Sequence, residues 1–301
     1  MKAMISPTAD EFLASVQEII VARVGRLASS LVDLDVSQMM PGKMLRSRLA
    51  GRLVAGGMGE DCWPDVAKLS AAIELAHTAS LCHDDVIDNA NVRRGLPSLW
   101  CVTGASGAVL IGDILLCEAI ELVTATDGGR HLPGFLAKLK EVITAEAKGE
   151  LMLRGMILDE PTCLDLARGK TGPLFAFVAG VCGREDRDLS TGLEETGYLI
   201  GTAYQLADDL LDRIGDEDMA GKTLGTDQRR GKFTLARDDR DGGAGDVLHL
   251  AVHRMFESAI QQLAGWARAE DAIRLYLTED LQPLFQQLLN QDLIARENSL
   301  T

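Results

Sequence analysis

Residues 65–88 read D-V-A-K-L-S-A-A-I-E-L-A-H-T-A-S-L-C-H-D-D-V-I-D. Leu69, Ile73 and Ala76 recur at helical spacing, so the stretch predicts one long helix that ends near Asp88. The same periodicity runs outward in both directions. Upstream, Thr8-Ala9-Asp10-Glu11 reads as a capping box that opens a helix with Phe12, Val16, Ile19 or Ile20, Val24 and Leu27 on one face. Pro41-Gly42 interrupts the chain, a second helix carries Leu45, Leu49 and Leu53, and the glycines at 56, 57 and 59 end it. Downstream, helical stretches lie near 105–126, 134–157, 162–181 and 191–214, with two or three more after 245. No segment alternates apolar and polar residues with β-branched enrichment, so no sheet is expected. No period of about 20–50 residues marks a solenoid. The expectation is a single all-α domain over residues 1–301, a bundle of about ten helices.

The composition sets limits on function. Of the 301 residues, 47% are hydrophobic, 25% charged and only 4% aromatic, so the core must be built from Leu, Ile, Val, Ala and Met. Thirty Lys+Arg against forty-five Asp+Glu leave a net charge of −15, the wrong sign for a nucleic-acid binder. An anionic substrate must therefore meet a local basic cluster or arrive with metal ions. The six cysteines (62, 82, 101, 117, 163 and 182) form no C-x-x-C pair and read as small core hydrophobes in a reducing compartment. Met1 to Asp10 lacks the basic start and apolar run of a signal peptide. The most apolar region, Val109 to Val123, is interrupted by Asp113, Glu118 and Glu121, so no membrane span is expected and the cytoplasm is the expected location.

The chemistry concentrates at two helix ends. Asp84, Asp85 and Asp88 form D-D-V-I-D, and Asp208, Asp209 and Asp212 form D-D-L-L-D. In each, the first and last aspartates are four apart and share a face. Two carboxylates at about 4 Å repel by roughly 4 kcal/mol at an effective dielectric of 20, and a helix C-terminus is already a negative pole. Cations relieve that cost. Mg2+ suits the site because it takes hard oxygen ligands, commonly one or two carboxylates plus substrate phosphates. A lone triplet of this kind is as easily a solvated acidic helix end. Two of them, each followed by basic residues (Arg93 and Arg94; Lys222 and Lys232), point to metal-bridged diphosphate. Zinc fits less well, since Cys82, His83 and Asp84 are adjacent on a helix and point about 100° apart. Gly215 to Thr223 is one residue too long for a phosphate-binding loop, follows a helix rather than a strand, and carries three acids.

Several stretches together resemble the trans-isoprenyl diphosphate synthase (polyprenyl synthetase) family. They are P-G-K-M-L-R at 41–46, H-T-A-S-L-C-H-D-D-V-I-D-N-A-N-V-R-R-G at 77–95, G-K-T-G at 169–172, G-T-A-Y-Q-L-A-D-D-L-L-D at 201–212, G-K at 221–222 and G-K-F-T-L at 231–235. Order and spacing agree from about residue 40 to 235. The resemblance implies an all-helical homodimer whose helices surround a central cavity, the isoprenoid synthase fold, with the apolar helix at 105–123 as a candidate interface. It implies that Asp84, Asp88 and Asp208 ligate Mg2+, for which Mn2+ can substitute, with Asp85, Asp209 and Asp212 in support. Arg93, Lys170, Lys222 and Lys232 would neutralise the diphosphate of an allylic substrate. Lys43, Arg46, His77 and Arg94 match the positions that hold isopentenyl diphosphate. Lys170, Thr171 and Gln205 would serve catalysis, the last two as dipoles aimed at the forming allylic cation.

On this resemblance the chain is expected to join isopentenyl diphosphate to an allylic diphosphate and release pyrophosphate. Product length should follow from helix geometry. Side chains four and five positions before Asp84 lie about 6–7.5 Å deeper along the helix. They are Ser80 and Ala79, both small, so the product should reach twenty carbons or more. The chain departs from the family pattern at Met44, at Leu153, at Pro173, which is expected to kink its helix, and in a polar connector at 237–245. Two other functions share part of the pattern. A class I terpene cyclase generally lacks the second aspartate motif and the basic residues at 43, 46 and 77. A non-catalytic subunit of a heteromeric synthase would be marked by lost aspartates, and none is lost.

Overall fold

The computed structural model describes residues 7–30, 39–156, 158–214 and 244–285. Among them are nine α-helices and one two-strand ribbon. Helix α1 (Ala9–Ser30) begins where the capping box predicts: the Thr8 amide donates to Glu11 Oε2 at 2.8 Å, and the Glu11 amide donates to Thr8 Oγ1 at 3.2 Å. Its expected face, Phe12, Val16, Ile20, Val24 and Leu27, is buried. Helix α2 (Leu45–Ala55) ends on Gly56. Helix α3 (Trp63–Asp88) stops at Asn89, whose left-handed φ of 49° closes the last turn. There follow α4 (Leu99–Ala125), α5 (Leu132–Leu151), α6 (Glu160–Gly180), α7 (Arg187–Ile214), α8 (Ala244–Gln261) and α9 (Ala267–Leu275). A π-helical segment, Tyr276–Leu281, continues from α9. Within α4, Gly104 (φ 75°, ψ 163°) breaks the helix, so its regular part starts at 105 as the periodicity predicts.

Two helices are buried along most of their surface. α3 packs against α1, α2, α4 and α6, and its Ala and Ser residues let those neighbours approach closely. In α6, every residue from Thr171 to Gly180 is buried. α2 bridges α3 and α6. The π-helical segment ties back to α2: Tyr276 Oη donates to the Leu45 carbonyl at 3.0 Å, and Arg48 and Arg52 reach Asp280 at 3.2 and 2.7 Å.

α6 and α7 touch backbone to backbone. A Cβ added at Gly197 would lie 2.6 Å from the Ala176 Cα, and one at Gly201 would lie 2.7 Å from the Gly172 Cα. Backbones this close admit only glycine. α6 carries Pro173 inside one continuous helix from Glu160 to Gly180.

Two expectations need correction. Residues Val92–Arg93 and Leu96–Pro97 pair as an antiparallel ribbon, although no sheet is expected from the sequence. Its two-residue turn, Arg94 and Gly95, has φ of 55° and 74°, the paired positive values that a tight hairpin takes. Strands of two residues are too short for alternation to register. The cysteines are not all core residues: Cys82, Cys163 and Cys182 are buried, but Cys101 and Cys117 are exposed on α4. The apolar surroundings read from the sequence lie partly on an outward face, where Val102, Leu110 and Ile114 are exposed too. No helix of the described residues is long and apolar enough to cross a membrane. The connector at 237–245 lies almost wholly outside the described residues.

The helix contacts generate a paired prediction. Gly197→Ala forces α6 and α7 apart and should cost about 1–3 kcal/mol. Gly25→Ala, on the exposed side of α1 with no heavy atom within 4 Å of the added carbon, should instead stabilise by about 0.5–1 kcal/mol. Chemical denaturation of the two variants checks both signs.

Candidate active site

The last turn of α3 presents the first aspartate motif. Asp84 and Asp88 are partly buried, whereas Asp85 is only 3% exposed. The ribbon after α3 folds Arg93 back onto Asp85: its Nε donates to Oδ1 at 3.0 Å and to Oδ2 at 3.4 Å, and Nη2 also donates to Oδ1. Burial pushes the Asp85 carboxyl up, and Arg93 opposes that rise. For Arg93, burial disfavours the cation, but Asp85, then Asp84 and Asp208, more than offset it and raise its pKa. A fixed cation therefore stands within electrostatic reach of both aspartate motifs.

The next residue turns the other way. Arg94 Nη1 donates to the Met40 carbonyl, and its guanidinium packs over Gly42, where a Cβ would lie 2.9 Å from Arg94 Nε. Close by is Arg46, in the first turn of α2 and only 8% exposed. Its guanidinium carbon sits 5.0 Å from the Phe175 ring centroid, and its Nε has no hydrogen-bond partner among the described residues. Burial lowers the Arg46 pKa, while Glu74, Tyr204 and Tyr276 oppose the shift. His77 is partly buried, and its pKa lies well below the ordinary value, first through burial and then through Arg46, Arg94 and Arg93. The structure thus gathers Arg46, His77 and Arg94 into one basic pocket. Lys43 is exposed in the turn before α2.

α6 and α7 supply the facing side chains. Thr171 Oγ1 donates to Gln205 Oε1, and Gln205 Nε2 donates to Asp209 Oδ1 at 2.7 Å. Asp208, one turn beyond Tyr204, acts electrostatically on both Arg93 and Tyr204. Tyr204 is pushed up to about 12 by burial and by Asp208, with Arg46 opposing, so it links the basic pocket to the second motif. Lys170 Nζ pairs with Glu146 Oε1 of α5 at 2.8 Å. Asp212 lies in the last turn of α7, with its side chain outside the described residues; Lys222 and Lys232 lie outside them altogether. Ala79 is buried in the core, and the Ser80 hydroxyl donates to the His77 carbonyl at 2.8 Å. The cleft beside Asp85 and Arg93 is lined by Thr78, Leu81, Cys82 and Leu99 among others.

The donor set bears on a metal. Among the described residues, no three His, Cys, Asp or Glu side chains stand close enough together to hold an ion. His83, weighed above as a zinc ligand, instead turns to α4 and lies 3.3 Å from Asp113. The two motifs offer hard oxygens from separate helices. That fits Mg2+, which takes one or two carboxylates and completes its shell with phosphate oxygens and water. Asp84 and Asp88 on one side and Asp208 on the other could offer such oxygens.

Three side chains in the site escaped the sequence reading: Glu74, Phe175 and Glu146. Glu74 left a signal, a lone carboxylate in an apolar helical run three residues before His77. Phe175 and Glu146 left none, because a core aromatic and an acidic helix residue are both ordinary.

A family model for polyprenyl synthetase matches residues 33–237. The short chain isoprenyl diphosphate synthase of Methanocaldococcus jannaschii is 34% identical over 203 residues, which are 64% of this chain and 61% of that protein. The enzyme of the same name from Methanothermobacter thermautotrophicus is 31% identical over 238 residues, 76% of this chain and 71% of that one. Among solved structures, a polyprenyl synthase from Caulobacter crescentus, complexed with calcium and isoprenyl diphosphate, superposes with a TM-score of 0.69 at 25% identity. It covers 94% of this chain and 93% of that chain.

The His77 environment predicts a pH response. Its pKa is depressed in the folded state, so the unfolded chain takes up a proton that the folded chain refuses once pH falls below about 6.5. Stability should therefore drop on acidification from pH 7, His77 contributing at most about 1.4 kcal/mol per pH unit, the limit for one proton. His77→Gln should show a shallower loss between pH 7 and pH 5 in thermal melts.

Proposed function

Because the chain belongs to the polyprenyl synthetase family, we propose that it is a Mg2+-dependent, chain-elongating prenyltransferase, folded as a single domain. It condenses isopentenyl diphosphate with an allylic diphosphate. The observation that carries this reading is one cation, Arg93, within reach of Asp84, Asp85 and Asp208, beside a second basic pocket of Arg46, His77 and Arg94. Two separate cationic centres suit two diphosphates, and the two aspartate motifs that act on Arg93 suit a metal-borne leaving group at that centre.

Bound Mg2+ would supply Lewis-acid stabilisation of the departing diphosphate. Arg93 and Lys170, with Lys222 and Lys232, stabilise the negative charge that develops on it. The allylic C–O bond breaks, and the electron pair leaves with the diphosphate. Thr171 and Gln205, joined by a hydrogen bond and anchored on Asp209, present oxygen dipoles toward the allylic cation. Lys43, Arg46, His77 and Arg94 hold isopentenyl diphosphate so that its double bond attacks that cation. A proton then passes to the released pyrophosphate, and the chain is five carbons longer. His77 acts as a neutral donor in this scheme, since burial and three arginines keep it unprotonated.

The protein acts as a homodimer in this reading. Val102, Val109, Leu110 and Ile114 stand exposed along the outer side of α4, the helix expected at the interface. The six thiols, all unpaired, suit the cytoplasm.

Incubation with isopentenyl diphosphate, Mg2+ and dimethylallyl, geranyl or farnesyl diphosphate in turn should give elongated products, and activity should vanish with chelator. Asp84→Ala and Asp208→Ala should each lower turnover by orders of magnitude with helix content intact. Absence of product with all three primers would overturn the reading.

Product length tests the depth of the cavity. We expect chains of twenty carbons or more from the wild type, because Ala79 and Ser80, at the level below Asp84, are both small. Ala79→Phe should shorten the product by one or more five-carbon units with a modest loss of rate, read from product chromatography.

A further inference from the structure

Helix α2 starts without a cap of its own. The residue at its N-cap is Met44, in the left-handed region (φ 52°, ψ 41°), and no side chain of the usual Ser, Thr, Asp or Asn type closes the turn. The first amides of a helix have no acceptor within the helix, and leaving one buried and unpaired costs about 1–3 kcal/mol. Here the acceptor comes from another element. The Ser47 amide donates to Glu74 Oε1 of α3 at 3.1 Å, and Ser47 Oγ donates to the same oxygen at 2.9 Å. Both side chains are sealed from solvent, Ser47 at 0% and Glu74 at 1% exposure.

We propose that Glu74 is the positioning residue of the isopentenyl diphosphate pocket: from α3 it replaces the missing cap of α2 and fixes the turn that aims Arg46. The proposal rests on the function argued above. Arg46 immediately precedes Ser47, so holding the Ser47 backbone fixes the base of the arginine. Tyr276 holds the same turn from its other side, through the Leu45 carbonyl at 3.0 Å. Between these two clamps the Arg46 guanidinium lies over the Phe175 ring and within electrostatic reach of His77.

The placement of a carboxylate here supports the assignment. Desolvating a carboxylate costs several kcal/mol unless partners compensate, and the surrounding run of α3 is apolar. Glu74 is three residues before His77, so it shares the face of α3 that borders the pocket. There its charge supports the protonated forms of Arg46 and Arg94. A buried acid that caps a neighbouring helix and balances two pocket arginines has a reason to be in this core.

The test compares Glu74→Leu, Glu74→Gln and Ser47→Ala by calorimetric binding of isopentenyl diphosphate and of geranyl diphosphate, alongside steady-state kinetics. Glu74→Leu should weaken isopentenyl diphosphate binding at least ten-fold and leave geranyl diphosphate within three-fold. Glu74→Gln, which keeps an acceptor for Ser47, should return the first value to within three-fold of wild type. Ser47→Ala removes only the hydroxyl bond and should fall several-fold short of wild type for the same ligand. This variant and Glu74→Gln keep the proposal testable if the leucine variant fails to fold. Equal weakening of both ligands, unchanged binding, or a glutamine variant as impaired as the leucine one would overturn the role of Glu74. A wild type that binds isopentenyl diphosphate but elongates nothing would overturn the functional reading while leaving the Glu74 comparison readable. A wild type that does not bind it would overturn both.

Discussion

The contact of α6 with α7 governs how the rest of the site is assembled. Gly172 meets Gly201, and Ala176 meets Gly197, at separations that leave no space for a further carbon. Such packing fixes axial register as well as distance, because neither helix can slide without driving a side chain into backbone. Register is what the chemistry needs. It sets Thr171 opposite Gln205, and the same turn of α7 carries Asp208 and Asp209. Pro173 sits inside this contact. Its helix runs on unbroken, in a segment where every residue from Thr171 to Gly180 is buried, and packing on all sides supports the geometry that an isolated helix would lose.

A second constraint is charge. The chain carries fifteen more acids than bases, yet its arginines are not spread evenly over the surface. Arg46 and Arg93 are drawn inward, each near a buried carboxylate, Glu74 and Asp85 respectively. Burial would penalise either partner alone, and the pairing offsets much of that cost. The consequence is a site with fixed positive centres inside an acidic protein. Positive charge is thus concentrated locally, whatever the net charge.

The differences between sequence and structure have physical causes. The ribbon at 92–97 was illegible because two-residue strands carry no periodic signal; its mark was the turn chemistry of Arg94-Gly95, which a motif reading treats only as basic residues. Cys101 and Cys117 belong to an apolar face of α4 that points outward, and hydrophobicity alone does not distinguish a core face from one left for another surface. The family resemblance assigns Arg93 to a substrate diphosphate and says nothing of a protein partner. The structure shows that the same guanidinium has a resident partner in Asp85, which spacing along a helix and a loop could not reveal.

The sequence by itself determined the helical class, the capping box at Thr8 and Glu11, the helix boundaries near Gly56, Asp88 and residue 105, and the two aspartate motifs. These are local properties: periodicity, caps and breakers act over a few residues, so the order of the chain records them directly. Only the tertiary structure decided that Glu74 accepts from Ser47 in the first turn of α2, that Lys170 pairs with Glu146, and that Tyr204 feels both Arg46 and Asp208. The Ser47–Glu74 and Glu146–Lys170 pairs join residues 27 and 24 positions apart, and Arg46 comes to Tyr204 from farther still, all brought together by packing of α2, α3, α5, α6 and α7. Hydrophobic burial decides such neighbours, and because it has no direction along the chain, the sequence holds no local sign of which polar groups it will bring together.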